Sequence, residues 1–125
     1  TIELVKEIRF DAAYTFLFSA RSGTPAATMQ QQVPLAVKKE RLKQLMDIQN
    51  GISLEINQCL TGTVQEVLVE GVSKTDKNKL MGRTRTNKIV IWDRKTTDTT
   101  DTIGSLIPIK ITAAQTWVLK GQSIP

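Results

Sequence analysis

GRTRTNKIVIW, residues 82–92, gathers two arginines, a lysine and an asparagine and then turns apolar. Read as one extended strand, it puts Arg83, Arg85 and Asn87 on one face and Thr84, Thr86 and Lys88 on the other. Same-face neighbours in a strand stand about 7 Å apart. Ile89, Val90, Ile91 and Trp92 then anchor the strand in a core. Three more segments of the same kind surround it: GTVQEVLVEG (62–71), SLIPIKITAA (105–114) and QTWVLKG (115–121). All are short, β-branched and bounded by turn residues, which is the signature of strands. In SLIPIKITAA, Ile107, Ile109 and Ile111 alternate with Pro108, Lys110 and Thr112, giving one face in and one face out. SKTDKNK (73–79) and RKTTDTTDTIG (94–104) are polar loops between them. Short antiparallel strands with one apolar face predict a small closed barrel, because closure removes exposed edges.

The sequence upstream has a different period. Thr1 is a plausible N-cap for TIELVKEIR (1–9), whose Ile2, Leu4, Val5 and Ile8 fall at helical spacing. AAYTFLF (12–18) is almost wholly apolar, which predicts a strand buried on both faces, as in a parallel sheet, with Phe16 and Phe18 in the core. SARSGTPAATM (19–29) reads as a loop. Beyond Pro34 a long helix is expected over about 35–59. Leu35, Leu42, Leu45, Ile52, Ile56 and Cys59 form its apolar stripe, and Lys38, Lys39, Arg41 and Lys43 face the other way. Gly51 weakens this helix and Gly62 marks its end. Residues 1–60 thus amount to about one βα unit, whose strand has no neighbour to pair with. The expectation is a part of a larger domain, or a part that finds its partners in a second chain as a strand-swapped or otherwise self-associated dimer.

Composition narrows the chemistry. The chain has 125 residues, one cysteine and no histidine. An internal disulfide and a His general base are excluded, and a self-contained zinc or iron–sulfur site lacks its ligands. Cys59 reads as a small buried hydrophobe at a helix end. No apolar run approaches the roughly 18 residues of a membrane span, and no leader-like stretch follows Thr1. The net charge is +5, and residues 74–95 hold eight Lys/Arg against Asp76 and Asp93. Such a local excess attracts polyanions and is the footprint of nucleic-acid binding. The other reading is a solvated basic hairpin.

FDAAYTFLFSARSGTPAA (10–27), followed by KKERLKQL (38–45), resembles the last strand and loop of the radical SAM barrel in methylthiotransferases. EINQCLTGTVQEVLVEG (55–71), GRTRTNKIVIW (82–92) and IKITAAQTWVLKG (109–121) resemble the TRAM domain that follows it. The pattern is more similar to MiaB-type tRNA methylthiotransferases than to relatives acting on a ribosomal protein. The resemblance implies an α+β fragment. Residues 1–60 would be the terminal βα unit of a radical SAM α/β barrel, and residues 61–125 a small antiparallel OB-like β-barrel, the TRAM domain. It implies a cytoplasmic parent enzyme that methylthiolates an isopentenylated adenosine beside the tRNA anticodon, using two 4Fe–4S clusters and S-adenosylmethionine. The cluster cysteines of that family are absent here, so this chain is expected to hold no metal or cofactor and to carry no catalytic residue.

What remains is an RNA grip on the anticodon stem-loop. Arginine suits phosphate because its planar fork reaches two oxygens at once. Asparagine is donor and acceptor together and suits base edges and sugar hydroxyls. The candidate RNA-binding residues are Arg83, Arg85, Asn87, Lys88, Lys74 and Lys79, with Lys77 beside them. Trp92 and Trp117 could stack bases, but their apolar strand context favours the core. By resemblance, Arg21 and Thr24 face the substrate or cofactor cavity of the complete enzyme; the other reading is a turn shaped by Gly23 and Pro25. The basic helix face of Lys38 to Lys43 reads as a solvated face, with RNA contact as the alternative. Two other functions stay open: a free-standing basic RNA-binding module without catalysis, and a methylthiotransferase acting on a ribosomal protein.

Overall fold

A computed structural model of the chain describes residues 1–95 and 103–124. Residues 96–102, most of the polar loop expected over 94–104, lie outside the described residues. The chain divides into two compact units, Thr1–Ile52 and Ser53–Pro125.

The first unit is helical. α1 spans Ile2–Ile8 and is closed by Arg9 in the left-handed conformation, its N–H donating to the Val5 carbonyl. α2 is the single turn Pro25–Thr28. α3 spans Leu35–Gln58, one residue short of the expected end, and its last turns belong to the second unit. Pro34 stands just before it and accepts the first helical hydrogen bond from Lys38 N–H at 3.0 Å. On the predicted stripe Ile52 is buried and Leu42, Leu45 and Ile56 are half-buried, while Leu35 and Cys59 are exposed. Cys59 is therefore not the buried hydrophobe expected. It lies past the last helical turn, on the side of the chain that faces water.

The expected strand over 12–18 does not form. Tyr14 is 94% exposed and Phe16 82% exposed, and Phe18 is also largely open, so neither phenylalanine is core. The physical reason is pairing. A parallel strand needs neighbours to satisfy its N–H and C=O groups and to cover both faces, and the first unit contains no other strand. Buried Gln49 of α3 donates through Nε2 to the Phe10 carbonyl at 2.8 Å. The Lys38 ammonium lies 5.1 Å from the centroid of the Phe18 ring, a cation–π contact.

The second unit contains five strands: β1 Val64–Val72, β2 Lys79–Thr84, β3 Ile89–Asp93, β4 Leu106–Ala114 and β5 Val118–Ser123. They close into a barrel in the order β1-β2-β3-β5-β4. β1–β2, β2–β3, β1–β4 and β4–β5 are antiparallel, but β3 and β5 run parallel. This corrects the wholly antiparallel expectation. Hairpin pairs announce themselves through their turns, whereas the β3–β5 pair exists only because the sheet closes.

Alternation fills the interior. Val67 and Val69, Leu80, Val90 and Trp92, Ile109 and Ile111, and Leu119 form the core, with Leu60, Ile107 and Ala114 packed against it. Ile109 and Ile111 point in while Lys110 and Thr112 point out, as their period requires. Trp92 is core, as read from the sequence, at 1% exposure. Gly82 lets β1 and β2 approach: a Cβ there would collide with the Leu68 carbonyl oxygen and a Val67 methyl. After α3 the chain turns through Gly62, whose φ of 87° is costly for a residue with a Cβ. The Gly62 N–H donates to the Ile111 carbonyl at 2.7 Å, which delivers the chain to the barrel.

Candidate nucleic-acid interface

The stretch 82–92 is two strands joined by a tight turn, not one extended strand. Thr84 N–H donates to the Lys88 carbonyl at 2.9 Å, and Asn87 N–H to the Thr84 carbonyl at 3.0 Å. Asn87 has a φ of 65°. This is a three-residue hairpin loop, Arg85-Thr86-Asn87, with the left-handed residue last. Asparagine tolerates that conformation because its short polar side chain bonds locally. The buried Thr84 hydroxyl accepts from Lys88 N–H at 3.1 Å and lies 3.1 Å from the Thr86 hydroxyl. Hence the face shared by Arg83, Arg85 and Asn87, with its 7 Å spacing, does not exist.

The arginines sit on the barrel exterior beside carboxylates of β1. Arg83 lies on the outer face of β2; its Nε is 3.1 Å from Glu70 Oε1, and its Nη1 donates to Asn87 Oδ1 at 3.1 Å. Arg85 projects from the hairpin tip, its Nη2 2.6 Å and its Nε 3.0 Å from Glu66 Oε1. Its side chain is 79% exposed. The sequence reading did not foresee Glu66 and Glu70. Their alternation on β1, either side of Leu68, was the available signal once β1 is paired with β2. Exposed ion pairs of this kind contribute only about 0–1 kcal/mol, because water screens them and long side chains must be ordered.

Lys88 is directed elsewhere. Its Nζ donates to Asn57 Oδ1 at 2.9 Å, and Asn57 is buried near the end of α3. Asn57 Nδ2 in turn donates to the Gln115 and Thr116 carbonyls at 2.9 and 3.0 Å. Lys74 and Lys77 are exposed on the β1–β2 loop, which is held by the Ser73 N–H to Lys79 carbonyl bond and by Asp76 Oδ1 accepting from Asn78 N–H. Lys79 pairs with Asp93 at 3.6 Å. β2 separates the two groups of cations. Lys74, Lys77 and Lys79 lie at its start and Arg83, Arg85 and Lys88 at its end, roughly 17 Å apart at 3.3–3.4 Å per residue.

Trp117 is a further correction to the expected core. It is 66% exposed, on the turn between β4 and β5. The turn residue falls at the barrel rim, beyond the last paired position, Val118 opposite Ile89. Arg21 and Thr24 lie in the first unit. The Thr24 hydroxyl donates to the Arg21 carbonyl at 2.7 Å and accepts from Ala27 N–H at 3.3 Å, which caps α2. The Arg21 side chain is exposed.

The residues do not fit an iron–sulfur cluster. Such a cluster is held by several cysteine thiolates, and the chain has the one exposed thiol of Cys59. Among the described residues no group of three or more His, Cys, Asp or Glu side chains is placed to hold a metal ion. Among them, too, no helix is long and apolar enough to cross a membrane.

The chain is 52% identical over 124 residues to the tRNA-2-methylthio-N(6)-dimethylallyladenosine synthase of Moorella thermoacetica, covering 99% of this chain and 27% of that protein. It is 48% identical over 121 residues to the enzyme of that name from Carboxydothermus hydrogenoformans, covering 97% of this chain and 27% of that protein. With the Syntrophomonas wolfei enzyme the figures are 52% over 122 residues, 98% of this chain and 26% of the relative. The chain thus spans about a quarter of the length of these curated relatives. Residues 58–124 match the family described as TRAM domain, and with more than half of its residues in that match the chain belongs to the TRAM-domain family.

Proposed function

We propose that this chain is the tRNA-binding C-terminal part of a tRNA-2-methylthio-N(6)-dimethylallyladenosine synthase. The parent enzyme, a cytoplasmic radical SAM methylthiotransferase, would modify the isopentenyladenosine next to the anticodon. It would use two 4Fe–4S clusters and S-adenosylmethionine held by residues outside this chain. Near full-length similarity to enzymes of that name, over about a quarter of their length, supports a part of an enzyme over a free-standing module. The printed names of those relatives favour tRNA over a ribosomal protein.

The observation that carries the RNA-binding role is the exterior of β2 and its hairpin tip. Arg83 and Arg85 are held there by Glu70 and Glu66 in exposed pairs. Such pairs pre-position guanidiniums for phosphate. Lys74, Lys77 and Lys79 at the other end of β2 would add sequence-independent phosphate contacts. Lys88 would act by fixing the rim, since its ammonium is engaged by Asn57. Asn87 would shape the loop and hold Arg83 through its side-chain oxygen. Arg21 would face the substrate or cofactor cavity of the parent enzyme, with Thr24 shaping its loop.

The test is titration of the chain with an anticodon stem-loop RNA over a range of salt. Binding should weaken as salt rises, and Arg83→Ala should weaken it further and reduce the salt slope by about one. Asn87→Gly keeps the left-handed turn and removes one of two groups that hold Arg83, Glu70 being the other, so it should weaken binding less than Arg83→Ala. Binding that is absent, or indifferent to salt and to Arg83→Ala, would sink the proposal.

A further inference from the structure

We propose that Trp117 is a stacking platform for an unpaired nucleobase at the barrel rim, on the β4–β5 turn held by Asn57. The inference rests on the RNA-binding reading above and adds to it a site and a class of contact: a base rather than a phosphate.

A tryptophan in an apolar strand context is ordinarily buried, because its ring carries a large hydrophobic area. Trp92 obeys this and Trp117 does not. The exposed ring sits on an ordered turn. Gln115 N–H donates to the Val118 carbonyl at 2.8 Å, closing the β4–β5 connection. Asn57 holds the same turn through the Gln115 and Thr116 carbonyls. Asn57 is 4% exposed and belongs to the same compact unit.

Asn57 also holds Lys88 through its other side-chain atom. One buried amide therefore ties the turn that carries the ring to a cation. The strand register places them side by side: Val118 pairs with Ile89 in the parallel β3–β5 ladder, so Trp117 stands level with Lys88. The hairpin tip with Arg85 leaves from the same end of β3. The rim thus presents an exposed aromatic ring on a held turn, with Lys88 level with it on the neighbouring strand. Aromatic faces bordered by cations bind single-stranded nucleic acid: the base stacks and the cations meet the flanking phosphates. A duplex offers no free base face, so the site selects looped or unpaired RNA.

The experiment titrates the full 125-residue chain with two RNAs of equal length, a stem-loop with a seven-nucleotide loop and a perfectly paired duplex. Trp117→Ala should weaken stem-loop binding roughly 10- to 100-fold. It should leave duplex binding and the salt slope unchanged. Trp117→Phe should retain most of the affinity, since a ring remains. Stem-loop RNA should quench the fluorescence of the wild-type chain and leave that of Trp117→Phe, whose remaining indole is buried Trp92, unchanged. Stem-loop binding by Trp117→Ala equal to wild type overturns the stacking site and points to a protein surface as the partner of the ring, while leaving the phosphate grip intact. Failure of the wild-type chain to bind either RNA overturns the RNA reading itself, and the stacking site with it.

Discussion

Two apolar runs in this chain carry the same local message and meet opposite fates. AAYTFLF (12–18) and IVIWD (89–93) are both short, β-prone and rich in large side chains. The second is a strand, paired to β2 on one side and β5 on the other, with Trp92 1% exposed. The first is no strand, and Phe16 stands 82% exposed. What separates them is the supply of partners. β3 finds two neighbours within about 35 residues, while the first unit contains no other strand. A strand is a property of a sheet, and hydrophobicity alone does not complete it.

The sharpest way to break this contrast is to remove the ring that succeeded. Trp92→Ala should cost about 3–5 kcal/mol, because a large cavity opens at the centre of a closed barrel. Urea unfolding followed by far-ultraviolet circular dichroism reads the loss. Asn57→Ala should cost about 1–3 kcal/mol. It removes one buried amide with three partners and leaves the Gln115 and Thr116 carbonyls without their donor. The same unfolding assay checks it, and the turn at 115–117 should lose hydrogen-exchange protection first. The smallest stability effect belongs to the run that found no partner. Phe16→Ser should change stability by no more than about 0.5 kcal/mol. It should, however, reduce the self-association expected from the sequence, a strand-swapped or otherwise self-associated dimer in which 12–18 finds its missing partners in a second chain. Sedimentation velocity reads this: a wild-type chain that stays monomeric at high concentration removes that expectation. In the wild type, amides of 89–93 should exchange near the global unfolding rate and those of 12–18 far faster.

The candidate site was legible in its residues and illegible in its geometry. The stretch 82–92 drew attention to a hairpin that carries two arginines, and its geometry was misread because the segment reads equally well as one strand. Gly82 serves strand approach, Thr84 ties the loop and Asn87 supplies a left-handed residue. A loop residue in such a conformation, flanked by β-branched runs, is a hairpin signal that Asn87 already carried. Trp117 was read as core because Val118 and Leu119 follow it, and only its place on a turn at the rim leaves it exposed.

By itself the sequence determined α1, α3, and the strands β1 and β4 with their inward faces, because these follow from local period: 3.6 for α3 and 2 for β1 and β4; it missed the single turn of α2 and ran β2 and β3 together. It also determined the cation content, and that one thiol cannot ligate a cluster. Tertiary structure alone decided the rest. Closure made β3 and β5 parallel neighbours, β1 brought Glu66 and Glu70 beside the two arginines, and Asn57 joined Lys88 to the turn bearing Trp117. Each of these joins residues far apart in the chain. Local periodicity holds no information about such pairs; they are set by which surfaces remain to be buried once the barrel closes.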